Sequence, residues 1–321
     1  MKVSVRTPAR LHLGLIDLNG DLGRMFGGIG VGINRPNVVL EAEQTKNLTV
    51  TGEKITQVTT LAERFLETYN IKSNVTIEVK QVIPEHSGLG SGTQLALAVA
   101  TALAKIFDVK ASVQELAEAM GRGRRTSVGT TIFEQGGFVV DGGKNISEKR
   151  FPATIFNQPF PQEWRFVVAV PKVNKGLAKS EEVAAFKALT PMKAEDAGKM
   201  CRLTMMKLLP ALMERDIKSF GEALTKIQIV IGNYFAEVQG GTYSSQEAAE
   251  CIALLQKLGA YGAGQSSWGP AAYGIAQKEN AKKIEAKVKA FLKKSVGGRV
   301  FTAKANNKGA YIKISKSKAT V

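Results

Sequence analysis

The segment from Pro84 to Asp108 reads PEHSGLGSGTQLALAVATALAKIFD. Gly88, Gly90 and Gly92 alternate with Leu89 and Ser91 and run straight into an apolar stretch of helical length. Glycine lets the backbone turn its N–H groups inward, Ser87, Ser91 and Thr93 add hydroxyl donors, and the positive end of the following helix faces the loop. Such a loop seats a phosphate. It is not a Walker loop, because no Gly-Lys-Ser/Thr follows. The competing reading is a plain glycine-rich turn from strand to helix.

Around this segment the chain is of ordinary globular composition, 321 residues with 44% hydrophobic and 22% charged side chains. No apolar run reaches membrane-spanning length and no signal sequence is read at the start, so a cytoplasmic protein without a membrane partner is expected. Cys201 and Cys251 lack metal or redox spacing and read as buried free thiols. The net charge is +16, and residues 278–321 hold thirteen Lys/Arg against two acids. Lysines spaced as in KKIEAKVKAFLKK form the wet face of an amphipathic helix. No aromatic residues interleave with them, so no nucleic-acid partner is expected. A positive field that gathers polyanionic small substrates is the other use of that charge.

Alternating strands fill residues 1–50. A capping box of Thr60 and Glu63 predicts a helix start, and a second box of Ser112 and Glu115 another. FEQGGFVVDGG reads as a strand closing on an Asp-Gly turn, and Thr190-Pro191 as a helix start. Prolines 152, 159, 161 and 171 mark a boundary, which gives domains 1–160 and 161–321. Strands and helices mix without regular alternation, hence an α+β fold.

The loop P-x-x-x-G-L-G-S with its apolar helix resembles the phosphate loop of the galactokinase–homoserine kinase–mevalonate kinase (GHMP) superfamily. TPARLHLGLID (7–17) is similar to that superfamily's opening strand, and GAYGAGQSSWGPAAYGI (259–275) to its C-terminal glycine motif. The resemblance implies a two-domain GHMP-kinase-like fold with the active site in the interdomain cleft. RTSVGTTIFEQGGF (125–138) resembles the kinase segment that carries an acceptor-polarising aspartate, but Gly129 stands at the aspartate's place. An ATP-dependent small-molecule kinase, the alternative reading, thereby loses its base.

The long segments 7–36 and 121–143 resemble more closely the β-ribofuranosylaminobenzene 5′-phosphate synthases of methanopterin biosynthesis. That resemblance implies joining phosphoribosyl pyrophosphate to 4-hydroxybenzoate or 4-aminobenzoate, with loss of CO2 and pyrophosphate, Mg2+ as cofactor and a C-riboside as product. The expected catalytic residues are His12, Glu134 and Asp17, the last of which also reads as an Asx turn. Glu134 and Ser91 are the expected metal contacts. Substrate is expected on Arg10, Arg24, Arg124 and Arg125, on the loop residues Ser87, Gly88, Gly90, Ser91, Gly92 and Thr93, and on Gly262, Gly264, Ser266, Ser267 and Trp268. The arginines of GRGRR (121–125) read equally as complements to a helix C-terminus. A homodimer is expected.

Overall fold

The computed structural model describes residues 1–173 and 189–315; the last six residues of the basic C-terminal segment lie outside them. The first half contains β1 (Lys2–Arg6), β2 (Ala9–Asp17), β3 (Arg24–Ile33), β4 (Val39–Thr45), β5 (Thr49–Gly52), α1 (Ile55–Thr68) and β6 (Asn74–Gln81). It continues through α2 (Ser91–Ile106), α3 (Val113–Ala119), α4 (Val128–Glu134), β7 (Phe138–Asp141), β8 (Lys144–Asn145) and β9 (Thr154–Gln158). After β10 (Trp164–Pro171) come α5 (Ala194–Leu203), a π-helical turn (Thr204–Leu208), α6 (Leu209–Met213), α7 (Ile217–Gln239) and α8 (Gln246–Lys257). The chain closes with β11 (Gly262–Gln265), β12 (Ala272–Gln277), α9 (Lys278–Lys294), β13 (Gly298–Ala303) and β14 (Tyr311–Ser315).

Three sheets result, in the orders β14-β1-β4-β6-β5, β2-β3-β7-β9 with β8 on β3, and β11-β12-β10-β13. This is the expected α+β architecture. No helix of the described residues is long and apolar enough to cross a membrane. The helix α2 is buried from Gln94 to Ala104, as an all-round apolar helix must be. It packs between the first sheet and helices α1, α3 and α4, which fixes its N-terminus at the floor of the site.

The capping box at Ser112 and Glu115 forms as expected. The other predicted starts differ. Helix α1 begins at Ile55, and the Thr60 hydroxyl instead donates to the Thr56 carbonyl inside it. Helix α5 begins at Ala194, beyond Thr190-Pro191. Residues 133–134, expected in a strand, close helix α4.

The proline-rich boundary is a packed seam rather than a linker. Phe160, between two prolines, lies 5.2–6.2 Å, centroid to centroid, from the rings of Phe138, Trp164, Phe166 and Phe220. One hydrophobic core therefore runs through both halves. Sheet membership also departs from a division at 160, because β14 returns to pair with β1, Lys2 opposite Ser315.

Candidate active site

The phosphate loop and the C-terminal glycine motif interlock backbone against backbone. A Cβ on Gly88 would stand 2.0 Å from the Ser266 carbonyl oxygen, and one on Gly269 2.2 Å from the Gly88 nitrogen. Gly88 also has φ +83°, a left-handed backbone that disfavours side chains. The buried Ser266 hydroxyl accepts from the His12 N–H (2.9 Å) and donates to the Gly88 carbonyl (2.7 Å). Arg10 Nη1 donates to the same carbonyl at 2.7 Å. Strand β2, the loop and the 266–269 turn thus meet at one junction.

His12 sits where β2 bulges, the register against β3 shifting between His12 and Gly14. A bulge re-aims a side chain, and the bulged Leu13 carbonyl is held by Gln228 Nε2 at 2.6 Å. Gln228 Oε1 in turn accepts from the Gln265 N–H at 2.7 Å. Burial, and then the Arg10 charge, push the His12 imidazole down to about 3. It is neutral at neutral pH. His12 helps to line a narrow, partly open cavity whose other walls include Leu15, Ile231, Phe235, Tyr243 and Trp268. Trp268 leans on Phe235 with ring centroids 4.4 Å apart. Gln265 and Ser267 add polar atoms, and among the described residues no charged side chain lines this space.

At the other end of the loop Ser91 and Gly92 open helix α2. Ser87, by contrast, is tied to the Pro84 carbonyl at 2.6 Å. Thr93 fills the space beside Gly129: a Cβ on Gly129 would lie 3.1 Å from the Thr93 methyl. The place of a kinase aspartate is thus occupied by packing.

Other expected site residues are used differently. Asp17 Oδ1 accepts from the N–H groups of Asn19 (2.8 Å) and Gly20 (3.3 Å), which is the Asx turn. Arg24 Nε and Nη2 donate to the carbonyls of Gly142 (2.6 Å) and Gly143 (2.8 Å), fastening β3 to that turn. Gly262 faces Gly221 and Gly264 faces Gln228 at distances that admit no Cβ. Both serve close strand–helix packing. Arg124 is exposed and Arg125 half-buried.

Glu134 requires a correction. It is exposed at the C-terminal end of α4 beside the turn at Gly309, whereas Gly129, at the helix start, meets the loop. It therefore does not join Ser91, and among the described residues no three His, Cys, Asp or Glu side chains converge on a metal position. A Mg2+ carried on substrate phosphates needs fewer protein donors than such a cluster, one or two carboxylates sufficing.

Asp141, expected only as a turn residue, is wholly buried. It accepts from the N–H groups of Ser127 (2.8 Å), Gly143 (2.9 Å) and Gly28 (3.0 Å). Burial raises its pKa, and these bonds, with one from Val128, oppose the rise. It ties the start of α4 to β3. Its sequence signal is faint, an acid between apolar residues and Gly-Gly.

Two family models match: GHMP kinases N terminal domain over residues 56–137 and GHMP kinases C terminal over 208–294. β-Ribofuranosylphenol 5′-phosphate synthase of Methanothermobacter thermautotrophicus is 32% identical, across 97% of this chain and 99% of the relative. The protein of that name from Archaeoglobus fulgidus is 35% identical, across the same shares. In fold the chain matches homoserine kinase from Cytophaga hutchinsonii, with a TM-score of 0.70, 18% identity and 97% of each chain covered.

Proposed function

The chain belongs to the β-ribofuranosylphenol 5′-phosphate synthases within the GHMP superfamily, and from that membership we propose that it condenses phosphoribosyl pyrophosphate with 4-hydroxybenzoate in methanopterin biosynthesis. The ring carbon bearing the carboxylate bonds to ribose C1 as the C1–O bond breaks and pyrophosphate leaves with the electron pair. The C–CO2 bond then breaks, its electrons restore the aromatic ring, and CO2 departs. The name of the relatives, a ribofuranosylphenol, favours the hydroxy acid over 4-aminobenzoate.

The observation that carries this reading is the aromatic-walled cavity joined to the phosphate loop through Ser266 and Ser267. A planar ring packs against Trp268 and Phe235, and the loop N–H groups and the α2 dipole take phosphate. Against the apolar walls of Leu15, Ile231, Phe235 and Trp268 a carboxylate loses solvation, which favours its loss as CO2. His12, neutral, accepts a hydrogen bond from the para hydroxyl. An anionic substrate beside Arg10 weakens one of the two influences that hold the imidazole's basicity down. In this reading Mg2+ arrives as the companion of the pyrophosphate, and the protein acts in the cytoplasm as a homodimer.

Incubation with carboxyl-labelled 4-hydroxybenzoate, phosphoribosyl pyrophosphate and Mg2+ tests the proposal. Labelled CO2 is expected, dependent on phosphoribosyl pyrophosphate and indifferent to ATP. ATP consumed against a hydroxyl compound, with no CO2 released, would establish the kinase alternative instead.

A further inference from the structure

Three guanidinium groups lie together behind the start of α2. Helix α3 ends in a Schellman turn: the Gly121 N–H donates to the Glu118 carbonyl (2.8 Å) and the Arg122 N–H to the Ala117 carbonyl (2.7 Å). Gly121 takes φ +67° to make this turn, and the reversal carries Arg122 back to helix α2. Its Nη1 would stand 3.1 Å from a Cβ on Gly92, so the absence of that carbon lets the guanidinium lie against the first turn.

Among the described residues the charge there has no counter-ion. Burial disfavours the charged form of Arg122, followed by the neighbouring charges of Arg64 and Arg124. Among the described residues none of the three forms an ion pair. Arg122 Nε is buried and has no hydrogen-bond partner among the described residues. The neighbouring arginines are differently engaged: Arg64 Nε holds the Ala119 carbonyl (2.6 Å), Arg10 Nη1 the Gly88 carbonyl (2.7 Å), and Arg24 the turn at Gly142. A half-buried cation with an orphaned donor, beside two like charges and a helix N-terminus, calls for a multiply charged anion.

We propose that Arg122, supported by the fields of Arg64 and Arg124, binds the pyrophosphate of phosphoribosyl pyrophosphate and stabilises it as it leaves. The assignment rests on the phosphoribosyl-transfer reading above. It orients the donor: pyrophosphate lies at the Ser91–Gly92 end of the loop, and ribose C1 faces the cavity. A guanidinium fork matches two phosphate oxygens at once, which a lysine does not. Because charge grows on the leaving group as the bond breaks, Arg122 contributes to turnover as well as to binding.

The test is calorimetry with inorganic pyrophosphate and, separately, ribose 5-phosphate, each with Mg2+, on the wild type and on Arg122→Gln and Arg122→Lys. Arg122→Gln is expected to weaken pyrophosphate binding by roughly thirtyfold while leaving ribose 5-phosphate within about twofold. Arg122→Lys should recover only part of the loss, and it alone serves if the glutamine variant melts early. Unchanged pyrophosphate affinity overturns the assignment. So does an equal loss for ribose 5-phosphate, which would put the 5′-phosphate at Arg122. A wild type that binds neither anion would instead bring down the phosphoribosyl reading itself.

Discussion

His12 is kept neutral by its surroundings, and that has a measurable price in acid. Between an unfolded pKa near 6.5 and a folded value of about 3, the unfolded chain binds a proton that the folded one refuses. Stability therefore rises with pH through this window and falls on acidification, by about 1.4 kcal/mol per pH unit from this group alone. His12→Gln should remove that slope. In urea titrations at several pH values, the wild type is expected to lose ground against the variant from about pH 6 to pH 4. A gap that does not change with pH would show that the imidazole titrates normally. The importance of His12 was legible in the sequence, since it is one of two histidines and falls in the opening-strand motif. Its environment was not, because Gln228 and Trp268, which shape that pocket, lie more than 200 residues away.

At the scale of elements, α4 lies directly on β3 because Gly28, Gly30 and Gly32 leave that face of the strand bare. A Cβ on Gly30 would come within 2.5 Å of Val128, and one on Gly28 within 2.7 Å. Asp141 pins the start of the same helix. Asp141→Asn replaces an acceptor by an NH2 that faces backbone donors, so a loss of about 2–4 kcal/mol is expected in chemical denaturation. A loss near zero would mean that the acid is carried protonated, since asparagine copies that form. Elements with strong periodicity, such as α2 and α9, were legible from pattern alone. Helix α4 was not, because FEQGGFVVDGG reads as one strand and only packing against β3 decides that Phe133 and Glu134 are helical. Local chemistry misled at α1 as well: the first turn starts at Lys54 with a left-handed residue and no side-chain cap.

In the whole molecule, the halves are joined by the aromatic seam around Phe160 and by the Ser266 junction. Ser266→Ala strands the His12 N–H and removes a donor from the Gly88 carbonyl, both in buried surroundings. About 1–3 kcal/mol of stability should be lost, together with a several-fold rise in KM for phosphoribosyl pyrophosphate as the loop loosens. A lowered melting temperature with KM unchanged would show that the junction supports the fold but does not shape the loop. The fold family was legible from three motifs spread along the chain. The seam was not, because prolines around Phe160 resemble a linker until the partners from β7, β10 and α7 are in place.

The pairing of β1 with β14 has a consequence for synthesis. Val3 and Val5 are core residues on a strand with neighbours on both sides, and one of those neighbours, Tyr311–Ser315, is translated about 300 residues later. At the usual rate of elongation, roughly 15 to 60 s separate the two strands at the ribosome. For that interval β1 presents an open edge, and open edges recruit other chains. The nascent protein therefore passes through a window in which its first strand lacks the neighbour that later covers it.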